Sequence, residues 1–390
     1  MALSIAMYGA IPASAQPPQA FPKPQVKKPR RDVQLVQTVP GVERWSTVVG
    51  PSPPTIPPVM TDRHVFALVP PATVAAYQVQ DGVELWRVEL TPDHPLVAAE
   101  GRVFVAAGEA IHALDAETGA LAWRQPSGAL TAPPLVREGW IVTVSADEVV
   151  ARRAADGTVV WRQPNGAQQL RPTIEGDTLH LPLAEPKVVA LDLTTGGMKW
   201  ERTFGGAPSE IAALAGRVYV ATADKFFYCL DADDGTIEWR HRVGAALIGR
   251  PVLDAERVYV VAMDNVVRAF DRVDGALKWQ AGLPFRPSAG PLLFGTAVVA
   301  SGAAADLQTF DAVTGKTGRA ITFPAPLASP LSIQASDKGP LALTVTGAVD
   351  VEYKLSLWEP SMVIPTGPPT ALPGKAVTLP TAQQLPPGAP

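Results

Sequence analysis

From about residue 52 onward, apolar residues fall in short alternating runs broken by Gly, Asp and Pro. In GRVYVATAD, residues 216 to 224, Val218 and Val220 share one face; FFYCLD follows at 226 to 231, then a Gly-containing turn, then TIEWRHRV. One unit later ERVYVVAMD, VVRAFD and ALKWQAGL repeat the order, and Pro-marked apolar segments (RPTI, RPVL, GPLLF, SPLSI) stand ahead of such units. A period of two over short runs bounded by turn formers predicts antiparallel strands rather than helices. Each unit then holds four of them.

The units are repeats. Gly-x-x-x-Trp occurs at 41/45, 82/86, 119/123, 157/161, 196/200, 235/239 and 275/279, with tryptophans 41, 37, 38, 39, 39 and 40 residues apart. Gly315 to Arg319 keeps the spacing without the indole. Four strands at a period near 40 predict a β-propeller. Seven units end this way between 52 and 323, whereas PLALTVTG and VDVEYKLSLW have no such element after them. GVERWSTVV, 41 to 49, is the reverse case, a fourth strand with no preceding three. Pairing it with 327 to 358 closes a ring and removes the open edge. The expected fold is all-β, an eight-bladed β-propeller of four-stranded antiparallel blades over 41–358, closed by the N-terminal strand, with seven blades as the alternative.

The acid-rich stretch LDADDGTIEW, 230 to 239, reads as a calcium loop, a catalytic acid pair or a turn. An EF-hand loop needs a bidentate glutamate at its twelfth position, and counting from Asp231 that place is Arg242. The stretch also recurs, as LDAETGALAW (114–123), LDLTTGGMKW (191–200) and FDRVDGALKW (270–279), and more loosely as YQVQDGVELW and RRAADGTVVW. A turn is needed in every unit and a catalytic acid only once, so these acids are read as turn residues. Gly235 supplies a positive φ. Asp231, like Asp115, Asp192, Asp271 and Asp311, stands four residues ahead of its glycine to accept backbone N–H bonds. The tryptophans are read as packing between blades.

The pattern L-D-x-x-T/D-G-x-x-x-W, here LDAETGALAW and LDADDGTIEW, resembles the pyrroloquinoline-quinone (PQQ)-type propeller repeat of quinoprotein dehydrogenases and of BamB, the propeller lipoprotein of outer-membrane β-barrel assembly. The resemblance spans about 41 to 358 and implies the fold; for function it leaves two classes open. One is a non-catalytic binding or scaffold propeller of the cell envelope, mediating protein–protein interaction, with outer-membrane protein assembly as the related role. The alternative is a quinoprotein oxidoreductase. In such dehydrogenases a disulfide between adjacent cysteines holds the quinone over a tryptophan, and acidic and amide side chains hold calcium. Cys229 is the only cysteine here, so that pair cannot form, and no position matches the calcium ligands. No cofactor is therefore expected, neither PQQ nor calcium, and no catalytic residue is assigned.

Composition changes the picture at the ends. MALSIAMYGAIPASAQ ends an apolar run with small residues at Ala13 and Ala15, as a secretory signal does before cleavage, although a basic n-region is missing. Residues 1–15 are read as a signal-peptide remnant, which implies a periplasmic or secreted protein. Residues 16–40 are a Pro-rich basic linker including KPQVKKPRR, and 359–390 a Pro-rich disordered tail. Position 16 is Gln, not a lipidation cysteine. A net charge of −4 gives no general attraction to nucleic acid, and no stretch reaches the length of an apolar membrane span. A monomeric propeller with protein partners in the envelope is expected.

Cys229, inside FFYCLD, is read as a small buried apolar residue, and the five histidines as strand or loop residues without metal spacing. Aligning the first strands by distance from the preceding tryptophan places His94, Pro133, Arg171, Glu210, Arg250, Gly290 and Ser329 around the central channel. Arg171, Glu210 and Arg250 come from consecutive blades. Two guanidiniums about one carboxylate suit an anionic ligand or a partner's carboxylate; a self-satisfying salt bridge is the competing reading.

Overall fold

The computed structural model describes residues 42–164, 170–302, 306–318, 321–322, 327–328, 331–334, 341–347 and 352–359. The expected leader, basic linker and tail from 360 on lie outside the described residues, as do Gly41, Arg319 and Ser329. Every regular element described is a strand, and the strands form eight four-stranded antiparallel sheets. Blades 1 to 7 run Val59–Glu89, Val97–Pro126, Leu135–Pro164, Thr173–Thr203, Pro208–Arg242, Leu247–Gly282 and Leu292–Thr322. Blade 8 joins Ser332–Gln334, Leu341–Gly347 and Tyr353–Glu359 to the N-terminal strand Val42–Gly50, which is its outermost member. The chain is thus an eight-bladed β-propeller closed by its N-terminal strand. Innermost strands of neighbouring blades touch from blade 1 to 3 and from blade 4 through 8 back to 1. Between blades 3 and 4, Arg137 Nη1 donates to the Ile174 carbonyl at 2.7 Å.

The central strands are buried on both faces. In Arg217–Thr222 of blade 5, Val218 and Val220 pack with Val188, Ala190 and Trp200 of blade 4. The intervening Tyr219 and Ala221 pack with Trp239, Val258 and Val260, the latter two from blade 6. A sheet covered on both faces needs near-continuous apolar runs, which is why VYVA and VYVVA read as they do.

One device repeats at the outer edge. Before each of seven tryptophans the outermost strand carries a β-bulge, as at Glu238, where Trp239 faces Cys229 and Ile237 faces Leu230. A bulge re-aims the next side chain, and the indole turns into the following blade. Its Nε1 donates to the carbonyl three residues before that blade's turn glycine: Trp45 to Val79, Trp86 to Ala116, Trp123 to Ala154, Trp161 to Leu193, Trp200 to Ala232, Trp239 to Arg272 and Trp279 to Ala312, at 2.7 to 3.2 Å. The glycine lies against the indole face; a Cβ there would come within 2.5 to 2.8 Å of a neighbouring side-chain carbon, in six of seven cases an indole carbon. Gly235, at φ +70°, therefore does two things: it adopts the left-handed turn and it leaves room for Trp200.

The acids close the same turns. Asp115, Asp192, Asp231, Asp271 and Asp311 each accept two backbone N–H bonds, from the residues two and three further on. Asp234 accepts from the Thr236 N–H. Where Gln78 or Arg153 stands in place of the acid, the glycine N–H still donates to the same residue's carbonyl. The turn is a backbone motif that the carboxylate reinforces. Cys229, fully buried, faces Trp239 where five other blades place Ala76, Ala113, Ala151, Ala190 and Ala269 opposite their indoles and blade 8 places Leu357. The cysteine fills an alanine-sized slot, and burial pushes its thiol pKa up.

The histidines lie on strands or, for His94, in a loop, and two of the strand histidines, His64 and His180, are buried in the core. His180 occupies the slot held elsewhere by Phe66, Phe104, Tyr219 and Tyr259, its ring centroid 5.5 Å from that of Trp200. Tyr219 and Tyr259 donate from their hydroxyls to the carbonyls that also accept from Trp239 and Trp279. Neither His180 ring nitrogen has a partner among the described residues.

Two outcomes follow from this packing. Gly216→Ala, at φ +74° with nothing within 4 Å of the added Cβ, should cost about 1 kcal/mol of backbone strain. Gly235→Ala adds overpacking against Trp200 and should cost roughly 1–3 kcal/mol more by chemical denaturation; equal losses would show that the indole contact contributes nothing. Burial, helped by Lys199, pushes His180 from 6.5 down to about 3. The unfolded state then binds the extra proton between those values, so stability falls as pH drops through that window, by about 1.4 kcal/mol per pH unit. His180→Phe should flatten the slope of unfolding free energy between pH 6 and 4.

Candidate functional site

The eight-fold regularity breaks at the channel on blades 5 and 6. Their innermost strands, Pro208–Leu214 and Leu247–Leu253, are seven residues long, whereas those of the other blades are two or three. Both long strands are irregular: register shifts fall between Pro208 and Glu210 and between Ile248 and Val252. Gly249 lies in the second irregularity at φ +65°, so close to Gly290 ahead of blade 7 that a Cβ would overlap the Gly290 backbone. The bulge takes Arg250 out of the ladder. Its side chain reaches back past blade 5 to blade 4, where Nη2 donates to Thr173 Oγ1 at 2.7 Å.

The residues singled out by strand alignment do come together. Arg250 senses Arg171, Glu210 and Arg137 electrostatically, and Glu210 senses Arg171 and Arg250. Burial, followed by the like charge of Arg171, pulls Arg250 down to about 10, which still leaves it a cation at neutral pH. Burial pushes Glu210 upward against the pull of Arg171 and then Arg250. A closed salt bridge would hold the carboxyl low. Among the described residues neither Arg171 nor Arg250 forms an ion pair with Glu210; the hydroxyl of Thr173 is the partner of Arg250.

Sequence alignment missed two members. Arg137 ends the innermost strand of blade 3, four residues past the aligned Pro133, and Thr173 follows Arg171 by two. Of the other aligned positions, His94 Nε2 lies 3.1 Å from the Leu130 carbonyl, and Gly290 provides the close approach to Gly249. Pro133 and Gly290 bring no charge, and Ser329 lies outside the described residues. A separate recess of about 570 Å³ between blades 1 and 2, lined by residues including Glu89, His112 and Arg124, shares no residue with the channel cluster.

The residues present do not fit the PQQ arrangement of the dehydrogenases. The one cysteine is buried between blades 5 and 6, and all seven repeat indoles are committed to neighbouring turns. Trp358 donates to Thr344 Oγ1 within blade 8, and Trp140 packs against the core cluster between blades 3 and 4.

Comparison with known proteins agrees with the architecture. The family profile of the outer membrane protein assembly factor BamB matches residues 70–216 and again 209–329, together well over half of the chain. No curated protein sequence matches significantly. Among solved structures, BamB from Moraxella catarrhalis superposes with a TM-score of 0.64 at 16% identity, covering 82% of this chain and 99% of that one. The computationally designed Ika8 protein gives 0.64 at 14%, covering 83% and 99%. Quinohemoprotein alcohol dehydrogenase ADHIIG from Pseudomonas putida HK5 gives 0.62 at 13%, covering 85% and 78%. At such identities these likenesses speak for the fold alone.

The electrostatics of the cluster can be checked directly. Replacing Arg250 with Met removes a cation that holds the Glu210 carboxyl down, so its midpoint should rise further in a carbon-13 NMR titration. An unmoved midpoint would show that the two groups do not sense each other.

Proposed function

We propose, from the fact that the chain belongs to the BamB family of outer-membrane assembly factors and PQQ-type repeat propellers, that it is a non-catalytic interaction scaffold of the cell envelope. The observation that carries this reading is the double profile match, which spans residues 70–329, from blade 1 through blade 7. The family name belongs to envelope assembly, and a periplasmic or secreted location with a protein partner in outer-membrane protein assembly is the finer form of the proposal. No helix among the described residues is long and apolar enough to cross a membrane.

The ring suits this role physically. Rigid sheets packed face to face hold their connecting loops in fixed positions, and a partner then binds without the entropic cost of ordering a mobile surface. The second reading, a quinoprotein oxidoreductase, is favoured by the fold likeness to quinohemoprotein alcohol dehydrogenase. Against it stand the single buried cysteine and the absence of an uncommitted repeat indole to serve as a quinone platform.

The two readings separate in one experiment. Affinity capture of the protein from native envelope extract should retain a protein partner, while the purified chain shows neither quinone absorbance nor stoichiometric calcium. Bound quinone together with dye-linked alcohol oxidation would reverse the assignment.

A further inference from the structure

We infer that the channel mouth over blades 3 to 6 is a binding site for a small oxyanion, a carboxylate or a phosphate, gripped between Arg171 and Arg250. The inference goes beyond the scaffold reading and does not depend on it.

Charge comes first. Arg171 and Arg250 converge from blades 4 and 6 on Glu210, which senses both, leaving one positive charge in surplus; Arg137 of blade 3, sensed by Arg250, is itself paired with Glu138 at 3.2 Å. In a partly dehydrated channel such a surplus is unfavourable to the fold by itself, and an anion is the partner that relieves it. Guanidinium forks present paired N–H groups whose spacing matches the oxygens of carboxylate and phosphate.

Geometry comes second. Among the described residues, Thr173 alone engages the Arg250 side chain by a hydrogen bond, at Nη2. That bond pins the side chain across the inner end of blade 5 and leaves its other donors for a ligand. The backbone is bent to place it there: a register shift, a left-handed Gly249 and the tight approach of Gly290 all occur at Arg250. Irregularity of this kind, in a ring whose inner strands outside blades 5 and 6 are short and regular, marks a place where the fold gives up regularity for position. A purely structural bridge would have drawn Arg171 or Arg250 onto Glu210, and no such ion pair is formed among the described residues.

The full-length protein should be titrated by calorimetry with inorganic phosphate and, separately, with succinate. Saturable one-to-one binding of at least one probe is expected; which probe binds tells phosphate from carboxylate as the preferred ligand. Arg171→Gln changes an exposed side chain, so folding should survive while affinity falls at least tenfold. Glu210→Gln removes the competing carboxylate and should tighten binding several-fold. Absence of binding by either probe overturns the inference. So does an Arg171→Gln protein that binds as the wild type does, or a pair of variants that shift only the thermal unfolding midpoint.

Discussion

Everything in this ring depends on an indole lying flat against a glycine of the next blade. The contact joins three requirements in one place: a turn with positive φ, a face without a Cβ, and a carbonyl presented to the indole N–H. Each reinforces the others. Burying an indole contributes on the order of 3 kcal/mol, but its geometric effect is larger than that figure suggests. Because the wedge sits at the outer edge, it fixes the angle between successive sheets at seven of the eight seams, and that repeated angle closes a circle. The seam between blades 7 and 8, where the repeat keeps Gly315 to Arg319 but has no tryptophan, is filled by Phe294, Val299, Leu307 and Leu331 with Leu327 and Trp358 at its margin.

The architecture was legible because it is written several times over. Seven in-phase Gly-x-x-x-Trp elements announce the blades, and the orphan fourth strand at 42–50 has no partner except the incomplete set after residue 327. The sequence suggested the turn role of Gly235 but not its second role beneath Trp200, since contact between blades is invisible to local spacing. Cys229 could be read as a small apolar residue; that it replaces an alanine opposite an indole needed the strand register. His180 could be placed on a strand; that it takes the buried slot of Phe66 and Tyr219 beside an indole also needed three dimensions.

The channel cluster was partly legible. Arg171 and Glu210 stand ten residues after their tryptophans and Arg250 eleven, so a count from the tryptophans finds them to within one residue. Arg137 sits at another position, and Thr173 carries no charge to draw notice. The bulge that redirects Arg250 has a signal in hindsight, a Gly-Arg-Pro run where other blades have shorter segments, yet glycine and proline are too common here to single it out. Repetition reveals a scaffold readily; what is unique to one sector is by nature supported by a single instance.

The N-terminal strand holds one further consequence. Val42–Gly50 hydrogen-bonds to Tyr353–Glu359 while its Trp45 wedges into blade 1. During synthesis the earliest portion of the domain must therefore wait for nearly the last before it can pair. Contacts of that sequence separation are slow to form, and the waiting ribbon presents an unsatisfied edge to the crowded surroundings of a nascent chain. The circle gains a latch that no single sector can open, and in exchange biogenesis acquires a vulnerable interval that a chaperone is suited to cover.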